Sequence, residues 1–262
     1  VNKYIYYFHS PISTTKGYTS MAFDNYDTIL CNANFQIEEI KTRENLKKLN
    51  KKNLIPTGYF YFDSLAENIS LKKSDDSILI APSWNYDLKN FINENFIELI
   101  EILLNKNKKE IFRPHPEHYK RSKKILHKIK KNISNKNFEF DNKNENLMSM
   151  EKAKCLITDN SGIAIEYITI LKRPILYLDE FDKIHNYEFN DYLNLKTIDY
   201  KIKENFGYLF KKKDFNQIEE IINYSVEDFK KKQPILDSFI KENFFNYGKT
   251  KEYLTKILKK TF

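Results

Sequence analysis

Short apolar runs alternate along the chain with longer stretches in which apolar and charged residues recur at helical spacing. The apolar runs, which predict buried β-strands, lie at residues 4–8, 28–31, 54–58, 77–81, 109–112, 138–140, 155–157 and 174–178. The longer stretches predict helices at residues 35–49, 91–104, 119–131, 147–153, 163–171, 215–224 and 225–232, with two more after Pro234 that break at Tyr247-Gly248. Because strands and helices alternate, we expect an α/β protein with parallel sheets.

The spacing of these elements predicts two αβ layers. The polar stretch 66–76 has the composition of a linker, and an irregular aromatic segment follows the strand predicted at 174–178. We therefore expect a first domain at residues 1–70, a second at 71–234, and helices at 235–262 that pack back on the first domain. Since the chain begins at Val1 and opens almost directly on a strand, we also expect that further residues precede it.

Polar residues follow many of the predicted strands. These residues are His9, Gly58, Ser83 to Asn85, Arg113 to Pro116, Asp159 to Gly162, and Asp179. In open parallel sheets, ligands bind beyond the carboxyl ends of the strands. The pattern therefore predicts that these residues converge on one cleft.

The stretch around Asp159 has the order of elements expected of an anion site. An apolar strand runs into the turn Thr158-Asp159-Asn160-Ser161-Gly162, and an apolar helix follows directly. The first amides of a helix lack internal partners and its dipole is positive there, so a phosphate can bind. We expect Ser161 or Asn160 to cap the helix and Gly162 to let the backbone approach a ligand. The alternative is an ordinary capped turn between strand and helix.

Composition narrows the class of protein. The 262 residues are 41% hydrophobic, which excludes wholesale disorder, and no apolar run approaches the roughly 18 residues of a membrane-spanning helix. The two cysteines, each in a predicted strand, do not suggest a disulfide framework. The net charge of +8 suits nucleic acid, anionic lipid or a phosphate-rich substrate, but the lysines look spread over helices beside 36 acidic residues. Neither an RNA-binding aromatic signature nor zinc-finger spacing occurs, so we expect no nucleic-acid partner.

Four ordered segments, FHSPISTTKG, IAPSW, FRPHP and LITDNSGIAIEY, resemble the CDP-glycerol glycerophosphotransferases of teichoic-acid and capsule assembly. A fifth, NYGKT, resembles a Gly-Lys element near that family's C-terminus. The resemblance implies a GT-B-like fold, in which two Rossmann-like domains hold the active site between them, with an incomplete first domain here. The family typically has W-H-G-T where this chain has Phe8-His9-Ser10-Pro11, and a second serine in place of Gly162. We expect these departures to affect which donor is used more than they affect the fold.

The resemblance also implies an activity. A polyol phosphate, such as glycerol phosphate, passes from a CDP-activated donor to an acceptor hydroxyl on a growing cell-surface glycan or teichoic-acid-like polymer, and CMP is released. The matching histidine of the family, here His9, is the proposed base, although a histidine after a strand is often structural. Arg113, just before Pro114, and His115, between Pro114 and Pro116, close a strand and suit a diphosphate, with His115 as a catalytic residue. The alternative for this pair is a surface turn.

Further residues receive expected roles. Ser161, Gly162 and Asn160 would bind the donor diphosphate, Asp159 would brace the loop, and Glu166 would bind ribose or lie on the helix surface. Ser83 and Trp84 are expected on the donor side, where Trp84 stacks on the base or packs between domains. Lys16, Gly17, Gly248 and Lys249 are expected to contact phosphate or acceptor. We expect His118, His127 and His185 to be solvated.

We expect no metal, because no Asp-x-Asp pair follows a strand, and no cofactor, because the CDP-linked donor is a substrate. The expected partners are this donor and a glycan or lipid-linked acceptor, with peripheral contact to anionic membrane on the cytoplasmic face. Two alternatives remain open. One is a GT-B glycosyltransferase that uses a CMP- or UDP-sugar, and the other is a non-catalytic assembly subunit.

Overall fold

The chain divides into two compact units. The computed structural model describes residues 4–69, 74–84, 92, 94–143, 146–180 and 182–261. Unit 1 comprises Val1–Asn68, Lys183–Ile202 and Pro234–Phe262, and unit 2 comprises Ile69–Asp182 and Lys203–Gln233. Asn85, Phe91 and Asn93, which belong to the predicted cleft and to the helix predicted at 91–104, lie outside the described residues.

Unit 1 is built on a parallel sheet of three strands. These are β1 (Ile5–Tyr7), β2 (Thr28–Cys31) and β3 (Asn53–Pro56), in the order β1-β2-β3. The helices that follow them are α1 (Thr14–Gly17), α2 (Asn34–Leu46) and α3 (Phe60–Asn68). The core is aromatic, and edge-to-face contacts join Phe8 to Tyr6 and to Phe23.

The turn after β3 requires glycine. Gly58 has φ +95°, and a Cβ atom there would lie 2.5 Å from the carbonyl oxygen of Phe245. A side chain would therefore force apart the end of β3 and the C-terminal segment of the same unit.

Unit 2 is built on a parallel sheet of six strands in the order β6-β5-β4-β7-β8-β9. The strands are β4 (Ser77–Ile80), β5 (Glu110–Phe112), β6 (Phe138–Phe140), β7 (Ala153–Thr158), β8 (Ile175–Leu178) and β9 (Gly207–Phe210). The helices of this unit between the strands are α4 (Glu94–Asn105), α5 (Pro116–Arg121), α6 (Lys123–Asn132), α7 (Leu147–Lys152) and α8 (Ile163–Leu171). Helix α9 (Ile198–Phe206), before β9, begins in unit 1 and ends in unit 2. The chain ends with α10 (Ile218–Asn243) and α11 (Thr250–Thr261). Every residue of β4 and β8 is buried, which explains their continuous apolar sequences.

Several predicted boundaries are wrong. β9 was missed because it lies at the edge of its sheet and alternates buried with exposed residues in a segment without a clear period. Pro234 does not end a helix but lies inside α10, where proline removes one backbone donor while Leu236 and Ile240 beyond it remain buried. The helix predicted at 119–131 is two helices that meet at Ser122, and the linker predicted from residue 66 begins inside α3.

Residues 183–202, which the sequence places in the second domain, group with unit 1 in the structure. Ion pairs join this segment to α2. The guanidinium of Arg43 pairs with Asp24 and lies 3.3 Å from Glu188 Oε2, while Lys47 Nζ lies 2.6 Å from Asp191 Oδ2. Because Arg43 is largely buried, its two carboxylate partners compensate the lost hydration of the guanidinium.

The first residue of β5 is a buried acid. Glu110 is 1% exposed, and neither of its carboxyl oxygens has a hydrogen-bond partner among the residues that the structure describes. Burial raises the pKa of Glu110 to about 9, because the charged form loses its hydration. The folded protein therefore holds this proton at neutral pH.

We predict that Glu110→Gln flattens the dependence of the unfolding free energy on pH. The unfolded chain releases the proton near the ordinary pKa of 4.5, whereas the folded chain keeps it up to about 9. Stability from this group is thus complete below pH 4.5 and is lost as the pH rises through 9. At pH 8 the variant should be more stable than the wild type by about a few kcal/mol. Urea unfolding across this pH range measures the effect. Glu67→Gln, at an exposed position, is the control, and equal profiles for Glu110→Gln and the wild type would contradict the prediction.

Candidate active site

Three loops of unit 2 lie at one edge of its sheet. β4 pairs in parallel with β5 on one side and with β7 on the other, so the carboxyl ends of the three strands are adjacent. The loop after β4 carries Ser83 and Trp84, the loop after β5 carries Arg113 and His115, and the turn at residues 158–162 follows β7. The structure therefore brings the predicted donor-side residues of unit 2 to a common edge.

Asp159 joins two of these loops. Its Oδ1 accepts a hydrogen bond from the backbone N–H of Ser83 at 2.8 Å, and its Oδ2 accepts one from Ser83 Oγ at 2.7 Å. Next to it, Thr158 Oγ1 donates to the carbonyl oxygen of Ala81 at 2.6 Å. These contacts hold the turn after β7 against the loop after β4. Ser83, expected at the donor, is buried and directs both its amide and its hydroxyl to Asp159.

His118 connects α5 to the loop after β4. Its Nε2 lies 2.9 Å from the carbonyl oxygen of Ser83, and its Nδ1 lies 3.1 Å from Ser122 Oγ. Because a carbonyl oxygen only accepts, Nε2 carries the proton and donates. His118 is fully buried, so the expectation that it is solvated was wrong, because the first turn of α5 directs it inward. His127 is exposed as expected, while His185 is half-buried.

His115 is the N-cap of α5. Its Nδ1 accepts a hydrogen bond from the backbone N–H of Glu117 at 3.2 Å, and Pro116 occupies the first helical position. Since Nδ1 accepts, the neutral imidazole carries its proton on Nε2. The ring centroids of His115 and Trp84 are 5.9 Å apart, and the Arg121 guanidinium lies 5.3 Å from the Trp84 ring. Trp84 thus packs against His115.

Arg113 is held by an acid that the sequence analysis did not single out. Its Nη1 lies 2.6 Å from Oδ2 of Asp141, which follows β6 and has a fully buried side chain. Burial alone would raise the pKa of Asp141, but hydrogen bonds from Ser149, the Lys143 amide and Arg113 together lower it. The carboxylate stays charged and holds the Arg113 guanidinium at the carboxyl end of β5. The position of Asp141 directly after a predicted strand was the signal available in the sequence.

The turn before α8 differs in one respect from the sequence expectation. Gly162, which has no side chain to cap the helix, is the N-cap residue of α8, in place of the expected Ser161 or Asn160. Instead, the carbonyl oxygen of Ser161 accepts from the Ala164 N–H at 3.0 Å. Gly162 has φ −59°, a value open to any residue. In the first turn of α8, Glu166 Oε2 accepts from Asn146 Nδ2 at 3.2 Å.

The acceptor-side candidates lie in unit 1. His9 is exposed after β1, with Nδ1 3.3 Å from the Tyr6 hydroxyl, and its carbonyl oxygen accepts from the Tyr59 hydroxyl at 2.9 Å. Lys16 is buried in α1, with Nζ 3.9 Å from the centroid of the Tyr200 ring. The remaining candidates are Gly17, at the end of α1, and Gly248 and Lys249, which are exposed before α11. The cleft expected to unite these residues with those of unit 2 stays a prediction.

A buried glutamate that the sequence analysis missed holds the segment between His9 and Lys16. Glu39 Oε2 accepts from the Thr14 N–H at 2.5 Å and from Thr14 Oγ1 at 2.6 Å. Burial raises the pKa of Glu39 to about 7, against the opposing effect of these hydrogen bonds. No pattern in the sequence distinguishes this acid from its neighbour Glu38, because the apolar and polar residues of α2 are not segregated to opposite sides of the helix.

Within the described ranges, no group of three or more His, Cys, Asp and Glu side chains is placed to hold a metal ion. Among the described helices, none has both the length and the apolar character needed to cross a membrane.

Comparison with known proteins identifies relatives of this fold. The model of the family described as CDP-Glycerol:Poly(glycerophosphate) glycerophosphotransferase matches residues 19–257. A search of curated proteins finds no significant match. Among solved structures, the wall teichoic acid polymerase TagF is similar with a TM-score of 0.58 and 17% identity, over 99% of this chain and 68% of TagF.

Two further solved structures are also similar. The UDP-GlcNAc 2-epimerase of Methanocaldococcus jannaschii, in complex with UDP-GlcNAc and UDP, has a TM-score of 0.54 and 21% identity, over 90% of this chain and 61% of the epimerase. S. aureus MnaA, in a co-structure with UDP, has a TM-score of 0.51 and 12% identity, over 78% of this chain and 55% of MnaA. The α/β fold with two parallel sheets and its GT-B-like class are thereby confirmed.

We predict that Asp159 and Ser83 are energetically coupled. Asp159→Ala leaves the buried Ser83 amide and hydroxyl unpaired, and should lower the unfolding free energy by about 1–3 kcal/mol. Ser83→Ala should cost less, because the Asp159 carboxylate keeps the backbone amide as a donor. Urea unfolding of both single variants and the double variant forms a double-mutant cycle. Additive effects would show that the two loops are not joined by this contact.

Proposed function

The chain belongs to the CDP-glycerol:poly(glycerophosphate) glycerophosphotransferase family, and on this basis we propose that it transfers glycerol phosphate or a related polyol phosphate from a CDP-activated donor. The acceptor is a hydroxyl group on a growing cell-surface glycan or teichoic-acid-like polymer, and the second product is CMP. The observation that carries this proposal is the placement of Arg113, His115 and the turn before α8 after neighbouring strands of one sheet.

These groups suit a nucleoside diphosphate. Arg113 supplies a guanidinium held by the Asp141 carboxylate, and the Nε2–H of His115 supplies a donor at the same strand end. The first amides of α8, with Asn160, Ser161 and Gly162 in the turn before them, add a positive helix end. Negative charge that develops on the departing phosphate of CMP is then stabilised by groups that are already in position.

In the proposed reaction, the oxygen of the acceptor hydroxyl attacks the phosphorus atom that carries glycerol. A new P–O bond forms, the bond from this phosphorus to the bridging oxygen breaks, and CMP leaves with the electron pair. His9 is the proposed base that takes the hydroxyl proton. His115 donates a hydrogen bond to the oxygen on which charge develops, and both roles need only the chain's own residues.

The surrounding residues support binding. Glu166, held by Asn146, is proposed to bind the ribose hydroxyls, and Trp84 shapes the site by packing on His115. Gly17, Gly248 and Lys249 are proposed acceptor contacts. Lys16, which lies in α1 with its Nζ over the Tyr200 ring, is also proposed to contact phosphate or acceptor. Because the acceptor is glycan- or lipid-linked, we place the reaction at the inner face of the cell membrane, with peripheral contact.

We predict that His115→Asn abolishes most of the transfer without unfolding unit 2. Asparagine is a favoured N-cap residue and can accept the Glu117 amide, so α5 keeps its start while the Nε2–H donor is lost. CMP release from CDP-glycerol should fall by about 10²- to 10⁴-fold. His127→Asn, at an exposed position of α6, is the matched control and should keep wild-type turnover.

A donor panel accompanies this measurement. CDP-glycerol, CDP-ribitol, a CMP-sugar and a UDP-sugar are compared by the nucleotide that each releases. Release of CMP from a CDP-polyol supports the proposal. Turnover of a sugar nucleotide alone would instead indicate the glycosyltransferase alternative, and wild-type rates for His115→Asn would remove His115 from the reaction.

A further inference from the structure

The excess positive charge of the chain lies in one short stretch. Residues 119–136 contain eight of the 44 lysines and arginines and no aspartate or glutamate, and the remaining 36 basic residues equal the 36 acidic ones. The expectation that the lysines are spread over the helices among acidic residues is therefore wrong for residues 119–136. The eight residues, which we call the cationic face, are Lys120, Arg121, Lys123, Lys124, Lys128, Lys130, Lys131 and Lys136, and all are exposed.

The cationic face lies mainly on α6, whose two sides differ sharply. Leu126 and Ile129 point into unit 2 and are 4% and 0% exposed. Lys124, Lys128 and Lys131 follow one another at helical spacing on the exposed side. A helix that inserts into a membrane surface needs an exposed apolar side, and α6 uses its apolar side for packing within the unit. This surface therefore fits a polyanion in water better than a lipid bilayer.

The charges of the cationic face repel one another. Lys124 and Lys128 are spaced i,i+4, and Lys128 and Lys131 are spaced i,i+3, so each pair destabilises the helix slightly. Lys120 and Arg121 each contact Glu117, which lies outside the face. A bound chain of negative charges would relieve this repulsion and release counterions from the surface.

The cationic face begins at the candidate active site. Helix α5 starts directly after His115, and Arg121 of the face lies over the ring of Trp84, which packs against His115. From there α6 runs for ten residues, or about 15 Å. A polymer lying on this surface would pass close to the donor groups.

We propose that the cationic face binds the polyanionic acceptor, a polyol polymer linked by phosphodiesters, and guides its growing end toward the site at His115. This inference rests on the proposed function, which supplies an acceptor with about one negative charge per repeat. The family description names poly(glycerophosphate), a polymer of this kind. Each phosphodiester can pair with a lysine, whereas the polyol units between them need no specific pocket.

The test compares two variants with equal changes of net charge. Lys124→Glu/Lys128→Glu/Lys131→Glu reverses the charge of the cationic face, and Lys41→Glu/Lys51→Glu/Lys241→Glu changes three exposed lysines of unit 1. Binding of a fluorescent glycerol phosphate oligomer is measured by anisotropy without donor, at several salt concentrations. The first variant should bind about tenfold more weakly or worse, with a shallower salt dependence, while the control stays close to the wild type.

Kinetics give a second readout. For the wild type, KM should fall as the acceptor oligomer lengthens, and the α6 variant should lose this dependence while kcat with the shortest acceptor is unchanged. Equal losses of oligomer binding in both variants, or wild-type binding by the α6 variant, would overturn the inference. The inference would also be overturned if the α6 variant lost binding to phosphatidylglycerol vesicles but kept oligomer binding, because the cationic face would then bind the membrane.

The anisotropy assay needs no turnover, so the two proposals fail separately. Oligomer binding through α6 without CMP release from any CDP-polyol would overturn the proposed function alone. CMP release with oligomer binding that ignores α6 would overturn the inference alone.

Discussion

The hydrogen bonds between Asp159 and Ser83 fix the geometry on which the candidate active site depends. They join the loops that follow β4 and β7, the two central strands of the unit 2 sheet. His118 then ties the Ser83 carbonyl to α5, so the loop after β4, the start of α5 and the turn before α8 form one connected structure. The groups offered to a ligand are thus held by residues whose own polar atoms are already paired.

This arrangement links the requirements of the fold to the proposed chemistry. The N-terminus of α5 needs an acceptor for the Glu117 amide, and His115 provides it with Nδ1. That structural role leaves the proton on Nε2, which is the form needed to donate to a phosphate oxygen. Likewise, Asp141 keeps Arg113 oriented and stays charged through its hydrogen bonds. The cationic face continues from the same helix pair and extends the positive potential away from the site.

Local patterns in the sequence were enough to predict most of the strands and the parallel α/β class, because fully buried strands need continuous apolar runs. The polar residues predicted to follow β4, β5 and β7 do lie at adjacent strand ends, and their donor-binding role stays a prediction. What the sequence did not reveal depends on tertiary packing. The sequence around His118 is as polar as the sequence around an exposed histidine. Only the inward direction of its side chain from α5 buries it. Glu39, Glu110 and Asp141 are acids whose roles arise from burial, which residue type alone does not indicate. β9 and the continuation of α10 through Pro234 likewise need their neighbours to form.

The most direct test of the account is a crystal structure of the protein with CDP bound. The account predicts that the diphosphate contacts Arg113, His115 and the amides at the start of α8, while the Asp159 to Ser83 hydrogen bonds remain intact. A diphosphate bound elsewhere on unit 2, with these groups untouched, would contradict the assignment of the site.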